Sequence, residues 1–319
     1  MAVGLLRGGN MKKIDIGNSG VMGSEISLGV MRMDKLTTKE AAGVLNASIN
    51  AGINFFDHAD IYGGGKSEEI FSAGLKEAGI QRDDVIIQTK CGIRPRDGYA
   101  FYDFSKEHIL NSVDGSLKRL DTDYVDFLLL HRPDTLMEPE EIAAAFDKLK
   151  TSGKVKHFGV SNFTPMQIEL LQKSLDIKLV ANQMQFGPMH TTMIDRGFHA
   201  NVESPLGIDR TGDILEYCRL HNITIQAWSP FAFKNTWTIF LDDPKHPEMN
   251  SCLDKLAKKY GVSKNAVATA WILRHPAKMQ VVIGSMNEGR IGEIAKGCDI
   301  EMSREEWYQV YFAAGNTLP

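Results

Sequence analysis

Asn54-Phe55-Phe56-Asp57-His58-Ala59-Asp60-Ile61-Tyr62-Gly63 decides how the rest of the chain is read. With Gly52 and Ile53 ahead of it, the apolar run to Phe56 has the length of a short buried strand, and the run ends on a carboxylate. A carboxylate at that position is costly unless something pairs with it or uses it. Five residues later Tyr62 places an aromatic hydroxyl in a glycine-rich turn. Two further apolar runs end in the same fashion: Val85-Ile86-Ile87-Gln88-Thr89 runs into Lys90, and Val125-Asp126-Phe127-Leu128-Leu129-Leu130 runs into His131. Lying side by side and parallel, these strands bring Asp57, Tyr62, Lys90 and His131 to one rim.

The same rhythm extends in both directions. Residues 11–26 alternate around Gly17-Asn18-Ser19-Gly20 and predict a small hairpin. Strands are then expected at 26–29, 53–57, 85–90, 125–131, 155–160, 179–183, 223–227 and 280–283, each followed by a helical segment. Helix starts are marked by Ser105, by Pro139-Glu140-Glu141 and by Thr164-Pro165, and a last helix opens at Ser303-Arg304-Glu305-Glu306. Residues 184–210 read as irregular, 285–298 as the helix of the final strand. Strands alternating with helices pair in parallel, and a run of this length closes on itself. The expected fold is an α/β (β/α)8 TIM barrel with an N-terminal β-hairpin and an extra C-terminal helix. A doubly wound sheet is the competing architecture, but Gly-x-Gly-x-x-Gly is missing after the first strand.

The 319 residues, 43% of them hydrophobic, suffice for one large barrel over residues 11–319; residues 1–10 read as an extension or a cloning scar ahead of Met11. A formal charge of −4 offers no footprint for nucleic acid or an anionic membrane, and no apolar run has membrane-spanning length. Cys91, Cys218, Cys252 and Cys298 are scattered without Cys-x-x-Cys spacing, so zinc and a disulfide framework are not expected and a reducing cytoplasm is. Gly63-Gly64-Gly65-Lys66-Ser67 resembles a phosphate loop, but Asp60 stands where the first glycine is needed, leaving a turn.

In a barrel of this kind the active site lies at the carboxyl ends of the strands, where Asp57, Lys90, His131, Ser161-Asn162, Gln183, Trp228 and Ser285 all fall. An ammonium about 4 Å from a phenol favours the phenolate by up to about 4 kcal/mol at an effective dielectric near 20. Lys90 is therefore expected to lower the pKa of Tyr62 and sharpen it as a general acid. Asp57 orients Lys90, and His131 adds a second donor, which together suit a developing alkoxide. An alkoxide forms when hydride reaches a carbonyl. Trp228 offers a flat face to a nicotinamide, Asn162 and Gln183 suit its carboxamide, and the helix start near Ser285 suits phosphate. Tyr99, Phe101, Tyr102 and Phe104 after the third strand, with Phe231, Phe233, Trp237 and Phe240 after the seventh, suggest an apolar cleft. His190 and His199 are weaker candidates for substrate contact.

Phe55-Phe56-Asp57-x-Ala59-x-x-Tyr62-Gly63, Thr89-Lys90, Leu130-His131, Gly159-Val160-Ser161-Asn162, Asn182-Gln183, Trp228-Ser229-Pro230 and Ile283-Gly284-Ser285 occur in that order. With them the chain, from Lys12 to its last helix, resembles the aldo-keto reductase superfamily, specifically its bacterial general oxidoreductase branch. The resemblance implies metal-free reduction of small-molecule aldehydes and ketones by NADPH, with NADH as the lesser cofactor. It implies a catalytic tetrad of Asp57, Tyr62, Lys90 and His131. It also implies carboxamide contacts from Ser161, Asn162 and Gln183, stacking on Trp228 beside Ser229, and an adenosine-phosphate segment of Ser285, Asn287, Arg290 and Glu293. Many members carry lysine at the position of Gly284 and asparagine at that of Ile294, so one phosphate partner is expected to be missing here. Some proteins of this fold serve instead as regulatory subunits of potassium channels, and metal-dependent barrel hydrolases would require a His-x-His or carboxylate cluster at strand ends.

Overall fold

The structure, a computed structural model, describes residues 11–97, 99–199, 205, 213–234 and 236–318. The extension expected at residues 1–10 and residues 200–204 and 206–210 of the irregular stretch lie outside them. The described chain opens on an antiparallel hairpin, β1 (Lys13–Asp15) with β2 (Met22–Ser24). There follow β3 (Ile26–Gly29), α1 (Thr38–Asn50), β4 (Phe55–Asp57), α2 (Lys66–Ala78) and β5 (Ile86–Cys91). A second hairpin, β6 (Ile93–Arg96) with β7 (Tyr99–Tyr102), stands where the sequence suggests a loop. The rhythm resumes with α3 (Lys106–Leu120), β8 (Val125–Leu130), α4 (Pro139–Thr151), β9 (Val155–Ser161), α5 (Pro165–Gln172) and β10 (Leu179–Gln185). The last part holds α6 (Thr192–Phe198), α7 (Ile214–Leu220), β11 (Thr224–Trp228), α8 (Pro247–Tyr260), α9 (Lys264–Leu273), β12 (Gln280–Ile283), α10 (Glu288–Ala295) and α11 (Arg304–Ala313).

Strands β3, β4, β5, β8, β9, β10, β11 and β12 form one closed parallel barrel, β12 pairing back onto β3. The expected architecture is thus present, N-terminal hairpin included. Helices begin where the sequence supplies caps. Thr37 with Glu40 and Ser303 with Glu306 each exchange reciprocal bonds across the first turn, and the Thr164 N–H donates to Gln167 Oε1 at 2.9 Å, satisfying N–H groups that a helix start leaves open. The helix expected from Ser285 starts only at Glu288, because Asn287 takes the cap and accepts from the Arg290 N–H at 2.8 Å.

The larger apolar core packs the outer face of the barrel against the helices, and a smaller one of Ile16, Phe55, Phe127, Leu129 and Val180 closes the floor. Gly17 makes that plug fit. Its φ is +59°, and a β-carbon there would stand 2.2 Å from the Val180 carbonyl oxygen. At the opposite flank α11 is clamped to α9: the indole N–H of Trp271 donates to the Trp307 carbonyl at 2.9 Å, and that of Trp307 to the Trp271 carbonyl at 3.0 Å.

Candidate active site

Asp57 ends β4, and Lys90 lies in β5 one strand across, so parallel pairing sets their side chains on the same inward face. The Lys90 ammonium is fully buried and has a partner for each of its three hydrogens. Nζ donates to Asp57 Oδ2 at 2.8 Å, to the His58 carbonyl at 2.7 Å and to Tyr62 Oη at 3.2 Å. Tyr62 reaches this point because the chain turns sharply after β4. Its N–H donates to the Ala59 carbonyl at 3.1 Å, and Gly63 follows at φ +58° with no room for a side chain against Asp34. With its oxygen receiving from Lys90, the phenol keeps its own hydrogen for another acceptor. His131, next after β8, completes the group with its ring edge-on to Tyr62, centroids 5.9 Å apart.

The electrostatics depart from the expectation for Tyr62. Burial raises its pKa, Asp57 raises it further, and Lys90, although it pulls the other way, does not prevail. The sequence places the ammonium and its carboxylate but cannot show how deeply the phenol is buried. For Lys90, burial alone favours the neutral amine, yet Asp57 and Tyr62 outweigh it and its pKa rises. His131 falls well below the ordinary range through burial and the charges of Lys90 and Arg132, so it is a neutral imidazole. Its Nδ1 is buried without a partner among the described residues.

The residues expected around a nicotinamide are brought together in part. Trp228 Nε1 donates to Asn162 Oδ1 at 3.3 Å, and Asn162 Nδ2 to Ser161 Oγ at 2.8 Å. Asn162 and Ser229 both hold left-handed backbone, φ +63° and +47°, which re-aims the chain at the ends of β9 and β11. Gln183 turns inward instead, giving its amide hydrogens to Asp57 Oδ1 at 3.0 Å and Gln226 Oε1 at 3.3 Å. Beyond β12, Ser285 Oγ accepts from the Asn287 N–H at 3.2 Å, and Arg290 lies in the first turn of α10. Glu293 sits further along α10 and pairs with Lys296 at 2.6 Å. Ile294 is fully buried, facing the core.

Three residues near the site escaped the sequence reading. Arg32, after β3, donates to the Gly284 carbonyl at 3.2 Å, and its Nη1 would lie 3.2 Å from a β-carbon at 284. Arg132 holds its guanidinium 5.5 Å from the centre of the Trp228 ring. Gln88 donates to Asp57 Oδ1 at 2.6 Å. Its position two residues before Lys90, with the same inward phase, was the available signal.

The aromatic set divides. Tyr99 and Trp237 are 64% and 67% exposed, while Phe104 and Phe240 are buried in the core and line no cleft. Trp237 lies 6.3 Å from Trp228, ring centre to ring centre. His199 is buried, its Nε2 3.0 Å from the Thr317 carbonyl. His190 is half-buried beside Thr192. A cavity of about 400 Å³ lies between α1 and α10, and none of the residues expected in the site lines it.

A family model described as the aldo/keto reductase family matches residues 25–311. The chain belongs to this family. It is 37% identical over 276 residues, 85% of this chain and 86% of the relative, to 6-dehydroglucose reductase of Agrobacterium fabrum (strain C58 / ATCC 33970). It is 34% identical over 310 residues, 95% and 98% of the two chains, to oxidoreductase YdhF of Escherichia coli (strain K12). Among solved structures, the thermostable aldo-keto reductase Tm1743, crystallised with the inhibitor epalrestat, superposes with a TM-score of 0.74 at 25% identity, over 95% of this chain and 100% of that one. This aldo/keto reductase has, among its described residues, no helix long and apolar enough to cross a membrane and no group of three or more His, Cys, Asp or Glu side chains that could hold a metal ion.

Proposed function

We propose that this aldo/keto reductase reduces aldehydes or ketones to alcohols with NADPH, Tyr62 giving the proton to the carbonyl oxygen. The observation that carries this is the use of all three Lys90 hydrogens, on Asp57, the His58 carbonyl and Tyr62 Oη. Tyr62 can then only accept from Lys90, and its own O–H is free to meet a substrate oxygen at the mouth of the barrel.

The cofactor's fit is supported by the exposed part of the Trp228 indole, by the Asn162 amide bonded to it and by two arginines, Arg32 bonded to the Gly284 carbonyl and Arg290 in the first turn of α10. When bound there, a reduced nicotinamide supplies hydride to the carbonyl carbon. The protein's part is at the oxygen. Tyr62 and the neutral His131 donate to it as charge develops, their rings already set edge-on with centroids 5.9 Å apart. An alkoxide is a stronger base than a phenolate, so Tyr62 yields its proton even from a pKa held above the ordinary phenol range. Lys90 steadies the phenolate that remains, and Asp57 holds Lys90 in place. Oxidising an alcohol runs the same steps backward.

The name 6-dehydroglucose reductase, carried by the relative from Agrobacterium fabrum, directs the first substrates to aldehyde sugars. The test is loss of NADPH absorbance with a panel of sugar aldehydes, aromatic aldehydes, ketones and quinones. Turnover with at least one carbonyl class, abolished in Tyr62→Phe, is the expected result. Tight cofactor binding without turnover on any of them would instead favour a regulatory role for the same fold.

A further inference from the structure

The barrel interior above the apolar floor is filled by glutamines. Gln88 from β5, Gln183 from β10, Gln226 from β11 and Gln280 from β12 are all buried, and they join in one continuous lattice. At the bottom Gln280 Nε2 donates to the Ser24 carbonyl at 2.8 Å. Gln226 Nε2 donates to Gln280 Oε1 at 2.8 Å and to Gln88 Oε1 at 2.9 Å, and Gln88 Nε2 returns a bond to Gln226 Oε1 at 2.9 Å. At the top Gln88 Nε2 and Gln183 Nε2 converge on a single atom, Asp57 Oδ1, at 2.6 and 3.0 Å.

The direction of every amide follows from the two ends. A backbone carbonyl and a carboxylate only accept, so Gln280 must turn its NH2 to Ser24 and Gln88 its NH2 to Asp57. The reciprocal Gln88–Gln226 pair then links the two halves with no amide reversed. Buried amides in a low-dielectric interior are expensive to leave unpaired, so reversing one would orphan groups along the line. Asp57 Oδ1 is thereby occupied from below, and Oδ2 alone is left for Lys90.

We infer that Gln88, backed by Gln226, is a positioning residue for the proton-donating group. It fixes the rotation of the Asp57 carboxylate so that Lys90 is held within bonding distance of Tyr62. None of the four glutamines bonds to Lys90, Tyr62 or His131, so the influence passes through Asp57. This rests on the reading of the protein as a carbonyl reductase, and the parent protein's turnover tests that reading separately.

The experiment compares the parent, Gln88→Met, Gln226→Met, Asp57→Asn and Asp57→Asn/Gln88→Met. Each variant is measured for kcat, KM, NADPH binding by quenching of tryptophan fluorescence, and thermal unfolding. Gln88→Met is expected to lower kcat about tenfold, Gln226→Met less, with KM and NADPH binding within about twofold of the parent. In the Asp57→Asn background the Gln88→Met loss should vanish, because its route is already cut. A purely structural glutamine would instead weaken cofactor binding and turnover together, and its effect would multiply with that of Asp57→Asn. If Gln88→Met fails to fold, the graded loss in Gln226→Met carries the test. Unchanged kcat in a folded variant, or multiplying losses in the double variant, overturns the positioning role while leaving the reductase reading intact. A parent without turnover on any carbonyl overturns both.

Discussion

Lys90 Nζ stands 3.2 Å from the Tyr62 phenolic oxygen, and its other two hydrogens are committed to Asp57 and the His58 carbonyl. The lysine therefore acts on the phenol through one bond of fixed direction. Tyr62→Phe should cost on the order of a hundredfold or more in kcat while NADPH binding survives. Lys90→Met should lose turnover by a similar order with the fold retained. Cys91, adjacent in sequence, is buried, and burial pushes its thiol well up, so it is no nucleophile. Cys91→Ala should keep its activity. Steady-state kinetics on the three variants decide this; a dead Cys91→Ala beside an active Lys90→Met would reverse the assignment.

His131 should remain a neutral donor throughout the useful pH range. Burial, Lys90 and Arg132 all lower its pKa, and His58, buried edge-on against Phe71, is pushed down to about 3. Imidazoles held well below the ordinary histidine range stay neutral between about pH 5 and 8, where a free histidine titrates. Nitrogen NMR of histidine-labelled protein should accordingly show both rings neutral across that window. An ordinary histidine titration at His131 would mean that a cation, not an imidazole, faces the carbonyl.

The convergence of Asp57, Lys90 and His131 was legible because each ends an apolar run, and a strand's end in a parallel barrel has only one place to go; Tyr62 joins them from the glycine-rich turn five residues after Asp57. Tyr62's electrostatics were not legible, since they depend on burial, which with Asp57 outweighs the pull of Lys90. Gln88, Gln226 and Gln280 read as ordinary alternating polar residues. Only a closed barrel turns that phase inward, and only the bond directions reveal a line ending at Asp57. The β6–β7 hairpin was hidden by Pro95, which is tolerated because the two-stranded ribbon leaves an edge open. Arg32 stood 252 positions from the carbonyl it meets, a contact no local pattern announces.

Asp60 makes stability depend on pH in an unusual direction. Burial, then the neighbouring Glu68, raises its carboxyl from 3.8 to about 7, against the opposing pull of Ser112, Arg119 and the Ile61 N–H. Glu68 is itself committed to Thr89 and to Arg119, each at 2.7 Å, and Asp60 Oδ1 is buried without a partner among the described residues. A carboxyl with a raised folded pKa stabilises the fold below its unfolded pKa, and that contribution is lost as pH rises through the folded value. The loss here spans pH 3.8 to about 7. Asp60→Asn removes it, so the melting temperature of the variant relative to the parent should climb through that window and level off above it. A constant difference from pH 4 to 8 would show that Asp60 titrates normally.

Arg32 bears on which nicotinamide dinucleotide is preferred. Gly284 supplies no side chain, and the sequence therefore suggested one phosphate partner too few. The Arg32 guanidinium borders that space from the β3 side, anchored on the Gly284 carbonyl, while Arg290 stands in the first turn of α10. Two planar, permanently charged groups beside a helix start suit the 2′-phosphate, the chief chemical difference between NADPH and NADH. A charge-assisted contact is worth roughly 1.5–3 kcal/mol, so NADPH should bind about ten- to a hundredfold more tightly than NADH, less so as salt is raised. Arg290→Ala and Arg32→Ala should each weaken NADPH and leave NADH nearly untouched, read by calorimetric titration of both cofactors. An equal loss for both in Arg32→Ala would move that guanidinium from the 2′-phosphate to a group the two cofactors share, and equal affinities in the parent would remove the preference altogether.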